Sequence, residues 1–324
     1  MDIRRLQQTG GETGKSFLII VPKEWVKQHG LKKGNPVVVT EREDGCLIID
    51  PRLSKGGETK STTVHLESNL RWSITSKYLL GFDEIHIVGT DPITNDQREE
   101  VKRIIKRFVA LEVTEEDDHE IVVQCLVDPS TIPVHKAMRR MNLVASRMVK
   151  DALSAFFEGN HELADDVRQR DEEVDRLFFL IVRELRSAMQ YPSMAEAMSV
   201  PPVEALDFRL AAQYIERIAD LAVDVAATTE NALQSEVVKA FEPITDKVYE
   251  MLSKSVANLF RFDSEKVAWV MAAERELAEK IAELKSELIG NPKAFSQSRL
   301  QMLDSLLRIE EAAKDIVDLS LPQS

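Results

Sequence analysis

A chain of 324 residues exceeds what one hydrophobic core usually organises, so two or three structural units are expected. Its 44% hydrophobic residues can fill buried cores, but no apolar run approaches the ~20 residues of a membrane span, and the basic N-terminus lacks the apolar segment of a secretory signal. The expectation is a soluble, cytoplasmic protein without membrane insertion. The formal net charge of −13 argues against nucleic acid as a partner of the whole chain. The charge is uneven, however: Arg4, Arg5, Lys15, Lys23, Lys27, Lys32 and Lys33 outnumber Asp2, Glu12 and Glu24 in residues 1–40, so phosphate-backbone contact is expected only at that end.

Residues 1–53 contain short strand-like runs punctuated by Gly and Pro, at 16–21, 36–40 and 46–50. Pro22 is placed in the first turn of a short helix over 23–29, which Gly30 closes as a left-handed cap. Asp44-Gly45, between two strand runs, is a hairpin signal because both turn positions need positive φ. Cys46 and Cys125 stand far apart without a CxxC partner; they suggest neither a disulfide framework nor a zinc knuckle, and read as reduced packing residues.

Thr13-Gly14-Lys15-Ser16, Ile19 to Trp25 and Gly30 to Val37 together resemble the SpoVT/AbrB family over roughly residues 1–52. The resemblance implies a swapped-hairpin dimer that binds DNA through basic residues on the dimer face. By matching position, Arg4, Arg5, Lys15 and Lys23 are the candidate phosphate contacts.

Residues 57–128 alternate strand and helix signals, as a small α/β unit would. Strands are expected at 62–67, 84–89, 111–115 and 121–127, with a helix over 94–108 and a less regular segment ending at Leu80. Lys102, Arg103, Lys106 and Arg107 read as a solvated face, and His65 and His86 as structural. The unit carries no catalytic constellation and is assigned to connection or packing.

From Pro133 onward the period is helical, with segments at 134–158, 161–190, 203–231, 236–260, 263–289 and 296–319. The breaks are Gly159-Asn160, Tyr191-Pro192, Pro201-Pro202 and Gly290-Asn291-Pro292, with Pro243 near the start of the fourth helix. Residues 217–225 align without a gap on 308–316, an internal repeat that fits a duplicated three-helix bundle over 133–231 and 236–320.

Asp171 and Asp175 on the second of these helices, and Glu216, Asp220 and Asp224 on the third, recur every four residues and so share a face of each helix. Like charges so placed repel, and need full solvation or a counter-ion. Spacing alone favours a solvated face over a metal, although carboxylates suit hard or borderline cations such as Mg²⁺, Mn²⁺ or iron. Asp171-Glu-Glu-Val-Asp175 and Glu216-Arg-Ile-Ala-Asp220-Leu-Ala-Val-Asp224 resemble the two acidic motifs of the PhoU family, with similarity over about 133–320. That resemblance implies paired three-helix bundles, a divalent or trivalent metal ion (iron, Mn, Mg or Zn) on the five acidic residues, and regulation of a phosphate transporter. In the second repeat Asp171 and Asp175 align with Arg275 and Glu279, and Glu216, Asp220 and Asp224 with Leu307, Glu311 and Asp315. A cation there would have only Glu279, Glu311 and Asp315, so strong binding is expected at the first bundle alone.

The expected architecture is multidomain: a β-rich AbrB-like domain, a small α/β domain and an all-α pair of three-helix bundles. The expected protein is no enzyme, because it has no P-loop or nucleophile elbow. It reads as a phosphate-uptake regulator, at least dimeric, whose bundles sense phosphate status and whose N-terminus binds DNA. The alternative is a dimeric regulator without DNA, docked on the transporter ATPase or a signalling protein.

Overall fold

The computed structural model describes residues 3–9, 16–41, 45–51, 59–66, 69–126, 133–291 and 295–320. The chain divides into two compact units, Met1–Glu58 and Thr59–Ser324.

In the first unit β1 (Gln7–Thr9) pairs antiparallel with β2 (Ser16–Leu18), α1 spans Lys23–Gln28, and β3 (Val38–Glu41) pairs antiparallel with β4 (Leu47–Asp50). The strand expected over 16–21 stops at Leu18. The polar strand β1 has no hydrophobic alternation that could announce it. Pro22 sits outside α1 as its N-cap in extended conformation (φ −60°, ψ 133°), not in the first turn. Gly30 and Gly45 adopt the positive φ expected of them, 60° and 77°. Asp44 and Lys15 lie outside the described residues. Cys46 is exposed, so the packing role expected of it fails. Among the described residues of this unit only Asp50 is buried, while Ile3, Phe17, Ile20, Val39 and Leu47 are exposed.

The second unit begins with a four-stranded sheet in the order β5-β6-β8-β7. Strands β5 (Ser61–His65) and β6 (Glu84–Val88) are parallel, joined by α2 (Leu70–Leu79); β7 (Leu111–Glu116) and β8 (Glu120–Cys125) form an antiparallel hairpin that pairs on β6. One sheet face carries Val64, Ile85, Ile87, Ile121 and Val123, buried with Leu70, Ile74 and Tyr78 of α2 and Val101, Ile104 and Ile105 of α3 (Asn95–Ile105). The other face mixes charged residues with Thr63, Val88 and Val122. There His86 lies 2.8 Å from both Glu84 and Glu120, and these two carboxylates, Glu120 foremost, raise its pKa, which fits a structural histidine.

Helix α3 starts at a reciprocal cap. The Gln97 amide donates to Thr94 Oγ1 (3.3 Å), and the Thr94 amide donates to Gln97 Oε1 (2.9 Å). Thr94→Ala is expected to cost about 1 kcal/mol in urea unfolding; a loss under roughly 0.3 kcal/mol would show that packing alone starts the helix.

The helical part comprises α4 (Val134–Glu158), α5 (His161–Gln190), α6 (Pro192–Met198), α7 (Pro202–Ala227), α8 (Ser235–Phe260), α9 (Ser264–Gly290) and α10 (Gln297–Asp318). Helices α4, α5 and α7 pack together, α10 packs with α8 and α9, and the α7–α10 and α4–α8 contacts join the two bundles. One apolar core runs through all of them. Gly159 (φ 66°) ends α4, and a Cβ there would lie 2.4 Å from the Ala232 amide nitrogen. Asn160 Oδ1 then accepts from the Leu163 amide (3.0 Å) to open α5. Pro243 lies inside α8, and the short α6 fills a break that the sequence marks only by its prolines.

The α/β sheet unit docks on the first bundle through α2 and α5. Arg183 of α5, 1% exposed, donates to the carbonyls of Tyr78 (2.7 Å) and Phe82 (2.8 Å) and to Asp83 Oδ1 (3.0 Å), and lies over the Tyr78 ring. The loop after α2 turns at Gly81 (φ 77°), where a Cβ would stand 3.2 Å from Ser187 Oγ of α5.

Candidate metal centre

Asp171 and Asp175 occupy successive turns of α5, and Glu216, Asp220 and Asp224 successive turns of α7, which packs against it. Charge links four of the five directly. Burial, then Asp175 and Asp220, raise the Asp171 pKa to about 6. Burial, then Asp220, Asp175 and Asp171, raise Glu216 to about 7. Asp220 is raised by burial and by Asp175 and Asp224, against a lowering by Arg217. Asp224 joins the cluster through Asp220.

Other acids on α5 have cations at hand: Glu173 pairs with Arg140 (2.7 Å) and Asp166 with Arg170 (2.9 Å). Among the described residues Asp171, Glu216, Asp220 and Asp224 have no ion pair. Asp175 has one, with Arg107 of the sheet unit, 3.1 Å from its Oδ2. Arg107 therefore does not belong to the solvated face expected of the basic stretch 102–107. A chain of amide and guanidinium contacts orients Glu216: Gln213 Nε2 donates to Glu216 Oε2 (2.7 Å), and Arg209 donates to Gln213 Oε1 (3.3 Å).

The donor set suits a hard cation, because oxygen ligands on two helices repel one another and the raised pKa values of Asp171 and Glu216 mark where positive charge would relieve that repulsion. The cage is not preassembled: among the described residues no three acidic, histidine or cysteine side chains converge closely enough to hold an ion. Glu216, Asp220 and Asp224 line an open groove of about 690 Å³, whose other walls include Gln213, Tyr214, Arg217 and Arg308 of α10. Arg217 and Arg308 are the two residues that head the aligned repeats.

Residues 138–229 match the PhoU domain model. The chain carries a PhoU domain. Its five acidic candidates all fall within the matched span. Residues 13–56 match the family described as antidote-toxin recognition MazE, bacterial antitoxin, which makes the N-terminal unit AbrB-like. A relative described as a phosphate-specific transport system accessory protein PhoU homolog, from Clostridium acetobutylicum, is 26% identical over 167 residues, 44% of this chain and 74% of that protein. The crystal structure of PhoU from Pseudomonas aeruginosa aligns over 58% of this chain and 93% of that one (TM-score 0.45, 20% identity). The phosphate transport system regulatory protein PhoU from Streptococcus pneumoniae aligns over 57% and 90% (TM-score 0.47, 16% identity).

The second bundle differs from the expectation built on the repeat. Its interacting carboxylates are Glu310, Glu274 and Glu311, and Glu310 is 1% exposed with neither oxygen hydrogen-bonded. Asp315 instead lies 3.7 Å from Lys314. The alignment of the repeats places Glu310 opposite Ala219, a core position, and that pairing is the sequence signal of its burial. Of the DNA-contact candidates, Arg4, Arg5 and Lys23 are exposed, and Lys15 lies outside the described residues.

Proposed function

We propose that this chain regulates phosphate uptake, coupling a cation-dependent PhoU-like bundle to an N-terminal DNA-binding dimer. The observation that carries the reading is the mutual repulsion of Asp171, Asp175, Glu216 and Asp220, carried on two packed helices, with Asp171, Asp175 and Glu216 partly buried. A divalent or trivalent ion held there by these residues and Asp224 would supply positive charge to a groove otherwise hostile to anions. Arg217 and Arg308 at the same groove would then help admit inorganic phosphate; the C. acetobutylicum relative is described as an accessory protein of a phosphate-specific transport system.

The N-terminal unit exposes Phe17, Ile20, Val39 and Leu47 and buries no apolar residue among those described. Two-stranded sheets without a core are not stable alone, so a second copy is the partner that would cover these residues. Arg4, Arg5, Lys15 and Lys23 are the DNA-phosphate contacts in this reading.

The test is binding of the full-length protein to genomic fragments, phosphate-transporter promoters included, across a salt series with and without Mn²⁺ and inorganic phosphate. Selective binding that Mn²⁺ or phosphate modulates is the expected result. Lys15→Ala/Lys23→Ala should weaken binding on every sequence and flatten the salt slope by about 1 for each DNA phosphate that is no longer neutralised. Weak, indiscriminate binding insensitive to both ligands would overturn the DNA half in favour of a dimeric regulator docked on a transporter ATPase or signalling protein.

A further inference from the structure

Asp171, Asp175, Phe179 and Arg183 form one i, i+4 stripe along α5, running from the acidic cluster into the docking surface of the sheet unit. At the acidic end the sheet unit presents the corner between α3 and β7. Arg107 there reaches Asp175 (3.1 Å) and lies over the Phe179 ring at 5.5 Å, while Phe108 packs on Phe179 with centroids 5.2 Å apart. The corner is a tight one: Ala110, a residue with a Cβ, adopts φ 56° before β7 begins. Deeper along the stripe, Arg183 holds the same unit by three hydrogen bonds that involve no acidic-motif residue.

We propose that Arg107 is the built-in counter-cation of the acidic site and competes with a bound metal ion for Asp175. Occupancy of the site then loosens the α3–β7 corner, while the Arg183 anchor keeps the sheet unit docked. This rests on the cation reading of the cluster. Its physical basis is that one carboxylate oxygen set 3.1 Å from a guanidinium is a poor ligand until that pair opens. The residues between the N-terminal unit and the bundles thereby gain a role beyond connection: a joint whose tightness reports the state of the acidic site.

The experiment is calorimetric titration of the full chain with Mn²⁺ alone, beside Arg107→Ala and Arg98→Ala, with hydrogen exchange followed at residues 106–110. Arg98 lies in the same unit and pairs with Glu116 (2.7 Å), so its loss removes an equal charge away from the site. Expected are an affinity about five- to tenfold tighter in Arg107→Ala, unchanged in Arg98→Ala, and Mn²⁺-induced exchange at 106–110 in the parent but not in Arg107→Ala. Equal Mn²⁺ affinity in parent and Arg107→Ala overturns the competition and leaves the cation reading standing. No Mn²⁺ binding by either protein overturns the cation reading and the competition with it.

Discussion

Arg183→Ala is expected to destabilise the Thr59–Ser324 unit by about 2–4 kcal/mol in urea unfolding. The guanidinium is 1% exposed and is the donor to two backbone carbonyls and to Asp83, so its removal takes a donor from each and opens a void against the Tyr78 ring, while the Tyr78 carbonyl keeps the Gly81 amide at 3.0 Å. Asp83 is 38% exposed at its side chain, so water can solvate it once the arginine is gone; the Phe82 carbonyl and the void carry most of the loss. Arg183→Met separates the two contributions, because it restores volume but no donors, and should recover only part of the stability. Hydrogen exchange in α2 should rise in both variants. A cost under about 1 kcal/mol would show that the sheet unit is held by apolar packing alone, through Phe108 and Phe179.

Glu310 is expected to make the second bundle less stable as pH rises from about 4.5 to about 8. Its carboxyl is buried without a hydrogen bond, faces Glu274 and Glu311, and is pushed from 4.5 to about 8, by burial first and by those two charges second. The folded state therefore holds the proton more tightly than the unfolded chain. Between the two pKa values the native state binds more protons, so stability is full below the unfolded value and is lost progressively until pH passes the folded one. Glu310→Gln keeps the shape and removes the titration. It should match the parent near pH 5 and exceed it near pH 8.5 by on the order of 2–4 kcal/mol. Parallel stability curves for parent and variant over that range would sink the assignment. Asp171 and Glu216 shift in the same direction and are present in both proteins, so the difference between the curves isolates Glu310.

Much of the fold was legible because local chemistry and periodicity agree. Gly159-Asn160 marks the α4–α5 junction by a left-handed cap followed by an amide N-cap, both realised within a residue of the expected break. The six long helices follow from apolar residues recurring at helical spacing, and β6 and β8 from alternating ones. Helix α2 was harder to read. Its apolar residues Leu70, Ile74 and Tyr78 are buried, but they sit among Ser73, Thr75 and Ser76, which carry no clear helical preference. Strand β1 has no apolar face at all, so only its pairing with β2 reveals it.

The candidate site divides along the same line. Spacing of four residues puts Asp171 with Asp175 and Glu216 with Asp220 and Asp224 on single helical faces, and this much is a property of the α-helix alone. Which other charges meet those faces depends on contacts between residues far apart in the chain. Arg107 lies 68 positions from Asp175, and Arg308 of α10 joins the groove through the packing of the two bundles. The same holds for Arg183, whose partners are about a hundred residues away. The sequence by itself determined the helices, their breaks, the acidic rows and the basic N-terminal end, because each rests on interactions within a few residues. Only the tertiary structure decided which carboxylates are buried, which arginine neutralises Asp175 and that Glu310 lies unpartnered in a core, because burial and ion pairing are set by the elements that pack on a helix face and not by the helix itself.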